Sequence, residues 1–214
     1  MRRLIPLFLI FFYFVSCVSM RHEIPSEPDK GGSVEKHEVA EIPAPAEKPE
    51  LPVLIMGKGR VSADMMALFL LQHNTQLDPV YAKALANYYV EESLFEGINH
   101  DIAFAQMCLE TGYLRYGGDV KPEQFNFAGM GAVGGGEPGL SFPDPRTGVR
   151  AQIQHLKAYG SEEPLNGELV NPRFRYVRRG AALAYEGLAG TWAADRQYAV
   201  KISSILQRLY DFAF

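Results

Sequence analysis

The sequence predicts a mainly α-helical fold, and three observations carry this prediction. Apolar residues recur at helical spacing in successive segments between about residues 62 and 212. Pro79 suits a first helical position, and Gly97 and Gly112 suit the position that follows a last turn. No strand-rich region and no internal repeat interrupts the series. With 214 residues, 47% of them hydrophobic, the chain can form one sizeable core.

The predicted helices follow one another with short connections. Ser62 caps the first helix, which ends near Asn74. The second helix starts at Pro79 and ends at about Glu96, because Gly97 stops it. After a third helix, further helices are predicted over residues 147–159, around 182–187 and from about 195 to 212.

The first residues predict export and a lipid anchor. Residues 1–16 have a basic start, an apolar run too short to span a membrane and small residues at the end, which is the pattern of a secretory signal. Residues 14–17 (FVSC) resemble a bacterial lipobox, although Phe14 stands where Leu is more usual. This resemblance predicts a lipoprotein with Cys17 lipidated, on the periplasmic or extracellular side of the cell envelope. Simple secretion is the alternative.

Residues 17–57 are predicted to be a disordered tether because they are rich in Pro and Glu, which leaves residues 58–214 as one folded domain. The chain has 21 basic and 25 acidic residues. Removal of Arg2 and Arg3 with the signal leaves 19 against 25, a net charge of −6. This acidic balance argues against a nucleic-acid binder. With Cys17 lipidated, Cys108 is the only thiol left, so no intramolecular disulfide is expected; we also expect a monomer.

The third helix, within residues 99–112, carries one acid in an unusual place. Apolar side chains lie nearly all round this helix, so it should be buried. Asn99 or Asp101 is its N-cap and Gly112 its C′ residue, which puts Glu110 in the last turn. Apolar neighbours and the negative end of the helix dipole both raise the pKa of a carboxylate there. Such a group can act as a general acid; the alternative is a Glu that reaches solvent at a frayed helix end.

A glycine-rich segment follows, from Tyr113 to Asp144. Its glycines break any helix, while the apolar residues at 125, 127, 140 and 142 can form the arms of a short β-hairpin or an ordered loop. Glycines beside a buried acid suggest the close approach of a ligand. We therefore expect a hairpin or loop lobe that forms a cleft with the helices. A mobile surface loop is the alternative.

The sequence contains no common metal, nucleotide or serine-nucleophile motif, which leaves carboxylate chemistry without a cofactor. His155 lies on a predicted helix and is interpreted as a structural residue rather than a base. Four arginines within residues 173–179 could bind carboxylates or phosphates. We favour the interpretation that they neutralise nearby acids and cap helix ends. Cys108 is interpreted as a small core residue.

Three segments carry a resemblance to a known family: residues 105–113 (AQMCLETGY), 125–131 (FNFAGMG) and 191–199 (TWAADRQYA). They resemble the acid-bearing helix, the Asn-Asn-Leu-Phe-Gly-Ile-Lys box and the C-terminal Trp/Tyr segment of bacterial glucosaminidase domains. Those domains, found in flagellar and autolysin endo-β-N-acetylglucosaminidases, cleave the glycan of peptidoglycan and have a lysozyme-like α fold. The chain departs from the family at Phe125, which replaces the first Asn, and at Gly131, which replaces the Lys.

The resemblance implies roles for individual residues. Glu110 is the general acid, and Tyr198 faces the cleft and orients the acetamido group of the substrate. The second catalytic group is another carboxylate, with Glu137 and Asp144 as candidates, or the 2-acetamido group of the substrate itself. The residues expected to contact sugar are Tyr113, Tyr116, Asn126, Phe127, Gly129 and Trp192.

The implied function is that of a peptidoglycan hydrolase, which cleaves β-1,4 glycosidic bonds next to N-acetylglucosamine in cell-wall glycan strands. A lytic transglycosylase is the enzymatic alternative. A non-catalytic peptidoglycan-binding lipoprotein is an alternative of a different class, favoured by the departures at Phe125 and Gly131. The partners expected are glycan strands and, through Cys17, a membrane.

Overall fold

The computed structural model describes residues 48–132 and 134–214, and this part of the chain is mainly helical. The α-helices are α1 (Ala63–His73), α2 (Pro79–Glu96), α3 (His100–Thr111), α4 (Pro145–Gly160) and α5 (Tyr198–Ala213). α3 packs against α2, α4 and α5, and α1 packs against α2 and α5. The mainly α, lysozyme-like fold class predicted from the sequence is confirmed. The predicted signal sequence, the predicted lipidation site Cys17 and residues 18–47 of the predicted tether lie outside the described residues.

Capping residues set the boundaries of α1 and α2, and of these Ser62 and Gly97 were predicted whereas Asp78 was not. Ser62 Oγ accepts a hydrogen bond from the Met65 amide at 3.3 Å, and Asp78 Oδ1 accepts one from the Val80 amide at 2.8 Å. Gly97 ends α2 in the left-handed conformation, with φ at 76°. These signals depend only on neighbouring residues, which is why the sequence predicted α1 and α2 closely.

Later boundaries differ from the prediction because turns replace helical residues. α5 begins at Tyr198, since Asp195 forms a turn by accepting the Gln197 amide at 2.8 Å and the Tyr198 amide at 3.1 Å. The segment predicted as a helix around 182–187 is a short 3₁₀ turn at Tyr185–Leu188. Further 3₁₀ turns lie at Pro122–Gln124 and Phe174–Tyr176.

α3 is held at its start by a buried carboxylate. Asn99 is the N-cap, and its Oδ1 accepts from the Asp101 amide at 3.0 Å. The Asp101 side chain, which is fully buried, instead accepts from the amides of Arg60 at 2.7 Å and Val61 at 3.2 Å. It also accepts from the hydroxyl of Tyr210 at 2.7 Å. Asp101 thus joins the chain before α1, the start of α3 and the end of α5.

The glycine-rich segment is an ordered loop. None of its described residues forms a β-strand, but the Leu140 amide donates to the Met130 carbonyl at 2.9 Å and joins the two arms. The buried Asn126 amide group donates to the same Met130 carbonyl at 2.9 Å and to Leu140 O at 3.0 Å. Gly139 has φ at +71°, and a Cβ there would lie 2.8 Å from Met130 O, so the arms approach at a point where only glycine fits.

Within the described residues, no helix has both the length and the apolar character that crossing a membrane requires.

Candidate active site

Glu110 lies in the last turn of α3, where Gly112 ends the helix in the left-handed conformation with φ at 57°. The residue reaches solvent through the open side of a cavity, while protein surrounds its carboxyl group on the other sides. Oε1 accepts hydrogen bonds from the hydroxyl of Tyr198 and from Nε1 of Trp192, the latter at 3.2 Å. α3, α5 and the segment before α5 therefore meet at this carboxyl group.

Burial raises the pKa of Glu110 above its ordinary value. The hydrogen bonds from Tyr198 and Trp192 favour the ionised form and lower the pKa by a smaller amount. The net direction is upward, as the position at the negative end of α3 also favours. A carboxyl group with a raised pKa keeps its proton closer to neutral pH, which suits a general acid.

A buried row of hydrogen bonds connects the core to Glu110. Gln152 Nε2 donates to the backbone carbonyl of Ala103 at 3.0 Å and to Oε1 of Gln106 at 2.9 Å. Gln106 Nε2 in turn donates to the hydroxyl of Tyr198 at 3.0 Å. Because a backbone carbonyl can only accept, the bond to Ala103 fixes the orientation of the Gln152 amide and, through it, that of Gln106.

This orientation determines which oxygen of Glu110 carries the proton. The Tyr198 hydroxyl accepts from Gln106, so its own proton points to Oε1 of Glu110. Oε1 also accepts from Trp192, so the proton of the neutral acid belongs on Oε2. Oε2 faces Gly129, where a Cβ would lie only 3.3 Å away. The network therefore turns the acidic proton toward the glycine-rich loop.

Two cavities adjoin at Gly129 and Ala132, and we name them by their contents. The acid cavity, of about 230 Å³, is lined by Glu110, Thr111, Tyr116, Gly118, Asp119, Val120, Gly129 and Ala132. The aromatic cavity, of about 190 Å³, is lined by His155, Tyr159, Arg173, Thr191, Trp192 and residues 128–132. Trp192 lines the aromatic cavity and donates to Glu110, which lines the acid cavity, so the two adjoining cavities meet near the acid and are together called the cleft.

Asp119 is a carboxylate in the acid cavity that the sequence reasoning missed. Its Oδ1 accepts from the Gly136 amide at 3.1 Å, which ties the two halves of the glycine-rich loop together. The signal in the sequence was weak: an Asp after Gly117 and Gly118, nine positions beyond Glu110. Only the fold of the loop brings it to the cavity that contains Glu110.

Neither of the two carboxylates predicted as catalytic partners is among the residues that line the acid cavity. Asp144 caps α4, where it accepts from the Thr147 amide at 2.9 Å and the Thr147 hydroxyl at 2.7 Å. These hydrogen bonds lower the pKa of Asp144, in keeping with a charged helix cap. Glu137 is an exposed loop residue and lines neither the acid cavity nor the aromatic cavity.

The predicted sugar-contacting aromatics divide between cleft and core. Trp192 and Tyr116 line the cleft. Phe127 is fully buried and packs edge-on to Tyr89 at 6.5 Å, so it supports the loop from beneath. Tyr113 stacks on the His73 ring at 4.3 Å and lines a separate cavity of about 490 Å³ between α3 and α5.

The other two residues predicted to bind sugar shape the loop. Asn126 is fully buried and uses its side chain to hold residues 130 and 140, and its Oδ1 accepts from the Met130 amide at 3.0 Å. Gly129, with φ at +62°, allows the loop backbone to pass close to Oε2 of Glu110. Both residues place the loop against the acid.

A helical fold in which a cleft surrounds one acid with a raised pKa is typical of the lysozyme-like glycoside hydrolases. The chain belongs to the glucosaminidase family: the family model described as mannosyl-glycoprotein endo-beta-N-acetylglucosaminidase matches residues 66–211. A similar protein is an uncharacterized protein of Borreliella burgdorferi, 39% identical over 175 residues, which span 82% of this chain and 86% of the relative. The matched residues contain α3, the glycine-rich loop and most of α5.

Proposed function

We propose that this protein is a peptidoglycan hydrolase that cleaves β-1,4 glycosidic bonds next to N-acetylglucosamine, with Glu110 as general acid. The observation that carries the proposal is the setting of Glu110, whose Oε1 is held by Tyr198 and Trp192 while Oε2 faces Gly129, a residue that lines both cavities of the cleft. Membership of the glucosaminidase family supports the class of bond.

The first chemical step follows from this geometry. Oε2 of Glu110 donates its proton to the glycosidic oxygen, and the bond between that oxygen and the anomeric carbon breaks with its electron pair on the oxygen. Positive charge develops on the sugar ring as an oxocarbenium-like transition state. The Tyr198 and Trp192 bonds to Oε1 then stabilise the carboxylate that remains.

The second catalytic role has two candidate groups. Asp119 lines the acid cavity with Glu110 and can activate water, as in inverting enzymes, where the carboxyl groups stand roughly 6.5–9.5 Å apart. The 2-acetamido group of the substrate is the other candidate. We assign Tyr198 to the orientation of Glu110 rather than of the acetamido group, because its hydroxyl already bonds Gln106 and Glu110.

The experiment compares the wild-type protein with Glu110→Gln on purified sacculi. We expect the wild type to release reducing ends and soluble fragments and the variant to release neither, with similar melting temperatures. Equal release of fragments by both proteins would show that Glu110 is not the general acid. Mass spectrometry of the fragments separates the alternatives: reducing ends indicate hydrolysis, whereas anhydro-muropeptides indicate a lytic transglycosylase. Retention on sacculi without release would indicate a binding protein.

The same comparison tests the second group. Asp119→Asn should abolish turnover if Asp119 activates water, and Asp144→Asn, a change in a helix cap, is the matched control. Near-wild-type turnover of Asp119→Asn would leave the acetamido group as the second catalytic group.

We also propose that the protein is a lipid-anchored monomer at the cell envelope, with the lipid on Cys17. Incorporation of labelled fatty acid into the wild type, and its loss in Cys17→Ser, is the expected result. Recovery of the wild type in the soluble fraction without lipid would favour simple secretion.

A further inference from the structure

Arg173 is a cationic side chain of the cleft that has no ionic partner among the residues that the structure describes. Arg173 lines the aromatic cavity, and no Asp or Glu of residues 48–132 and 134–214 lies within 4.0 Å of its side-chain nitrogens. Arg146 and Arg150, by contrast, both bind the carboxylate of Glu92, at 2.6 and 2.8 Å. The expectation that the arginines of residues 173–179 neutralise nearby acids therefore does not describe Arg173.

A buried asparagine holds Arg173 and His155 in one arrangement. Asn171 is fully buried, and its Oδ1 accepts from the Arg173 amide at 2.9 Å. This bond fixes the orientation of the side-chain amide, so Nδ2 is the group that donates to Nδ1 of His155, at 2.8 Å. The amides of Val170 and Asn171 also donate to the buried Gln154, which anchors the segment to α4.

His155 is consequently a neutral hydrogen-bond donor in the aromatic cavity. Because Nδ1 accepts from Asn171, the proton of the neutral ring is on Nε2. Burial, with a smaller effect of the Arg173 charge, lowers the pKa of His155 to about 4, so the ring is uncharged at neutral pH. The residue is 7% exposed, and its Nε2 makes no hydrogen bond to the part of the chain that the structure describes.

The remaining wall is aromatic. The His155 and Trp192 rings lie 4.8 Å apart, and the Tyr159 ring lies 5.6 Å from Trp192. Trp192 is half-buried and also donates to Glu110, so a sugar against this wall is next to the bond that Glu110 protonates. Aromatic rings pack against the apolar face of a pyranose, while the polar groups fix its orientation.

We propose that the aromatic cavity is a subsite for a carboxylate-bearing sugar unit of the strand, in which Arg173 binds the carboxylate and Nε2 of His155 donates to a sugar oxygen. This inference rests on the proposed function. Arginine suits the role because its planar guanidinium matches a carboxylate with two parallel hydrogen bonds. The carboxylate has two sources in peptidoglycan: the lactyl ether of muramic acid once the peptide is removed, or the peptide stem itself.

The test uses Arg173→Gln, with Arg178→Gln as control because Arg178 is exposed in the same segment and lines neither cleft cavity. The substrates are intact sacculi, strands stripped of peptide by an amidase, and each of these with carboxylates blocked as methylamides. We expect Arg173→Gln to lower kcat/KM about ten- to a hundred-fold on the unblocked substrate that carries the recognised carboxylate, mainly by raising KM. Blocking the carboxylates of that substrate should lower kcat/KM of the wild type by a similar factor and leave kcat/KM of the variant unchanged.

Comparison of the substrates identifies which carboxylate Arg173 binds, and it can also overturn the proposal. Sensitivity to Arg173 on stripped strands alone assigns the lactyl carboxylate, and sensitivity on intact sacculi alone assigns the peptide stem. A rate loss in Arg173→Gln that is equal on blocked and unblocked strands, or no loss at all, would refute the subsite.

A binding measurement separates this inference from the proposed function. Affinity for unblocked strands is compared between Glu110→Gln and Glu110→Gln/Arg173→Gln at a temperature and time at which neither variant releases fragments. Weaker binding by the double variant supports the subsite even if the wild type proves not to hydrolyse strands. Equal binding refutes it, whatever the wild-type activity.

Discussion

The hydroxyl of Tyr198 is held between two side chains of α3: it accepts from Gln106 at 3.0 Å and donates to Glu110. Since a hydrogen bond to the ionised form lowers the pKa of an acid, Tyr198→Phe should raise the pKa of Glu110. The general acid must be protonated, so activity falls as the pH rises through this pKa. The alkaline limb of kcat/KM should therefore move to higher pH in the variant, with a lower maximum rate.

A pH profile of Tyr198→Phe against Tyr88→Phe checks this prediction, because Tyr88 is on α2 and lines neither cavity. An alkaline limb that stays in place, or that moves to lower pH, would contradict the assigned hydrogen bond.

The stability of Glu110→Gln should depend on pH. The pKa of Glu110 is higher in the folded than in the unfolded state, so ionisation disfavours folding only as the pH rises above the unfolded value. Removal of the charge should leave the melting temperature unchanged below the unfolded pKa and raise it modestly once the pH has passed the folded pKa, so the two proteins melt at similar temperatures. Thermal melts of both proteins across the pH range test this. A variant that is less stable than the wild type at alkaline pH would argue against the raised pKa.

Gly129→Ala should impair catalysis more than folding. The added Cβ lies 3.3 Å from Oε2 of Glu110, so the loop or the acid must shift, and small displacements of reacting groups can cost roughly a hundred-fold in rate. Gly135→Ala is the matched control because Gly135 also has positive φ but open space around its Cβ position. Both variants should lose about 1–2 kcal/mol of stability from backbone strain. Equal activity of the two would show that close approach at Gly129 does not matter.

Lys157 and Glu96 form a buried ion pair at 2.9 Å, each only 1% exposed. Glu96 also accepts from the amides of Asn166 and Gly167, so its carboxylate is bound on several sides. Lys157→Met should destabilise the fold by about 3–5 kcal/mol, because it leaves a buried charge without its partner. Urea unfolding measures the change, and Lys201→Met, which removes an exposed pair with Asp195, should have little effect.

Gln152→Leu tests the buried row behind the acid. The hydroxyl of Tyr89 donates to Gln152 Oε1 at 2.6 Å, and Oε1 of Gln106 accepts from Gln152 Nε2. The change to Leu leaves both of these buried polar groups without a partner. We expect a loss of roughly 1–3 kcal/mol in unfolding free energy, together with a slower turnover. Loss of stability with turnover intact would mean that the row supports the core without positioning Tyr198.

The sequence predicted best what depends on neighbouring residues. The caps at Ser62, Gly97 and Gly112 act within one helical turn, so α1, α2 and the position of Glu110 at the end of α3 could be predicted. The start of α5 was misplaced because the turn at Asp195 competes with helix in the same residues.

The cleft itself depends on contacts between distant segments. Asp119 reaches the acid cavity, and Phe127 the core, through the path of a loop that local propensity does not specify. Arg173 was grouped with the other arginines of residues 173–179, which were expected to neutralise acids and cap helix ends, as Arg179 does at the Ser161 carbonyl that ends α4. Nothing in its neighbours distinguishes it; only the packing of α4 against its segment places it beside His155.

The contact between Asp101 and Tyr210 means that α3 and α5 are joined by the same kind of hydrogen bond at both of their ends. These helices run in opposite directions, and at each end a tyrosine of α5 donates to a carboxylate of α3: Tyr210 to Asp101 at one end and Tyr198 to Glu110 at the other. The first pair is sealed in the core, whereas the second opens to the cleft. Removal of the last residues of α5 would therefore disturb the register of Tyr198 over Glu110 from twelve residues away, without touching the cleft.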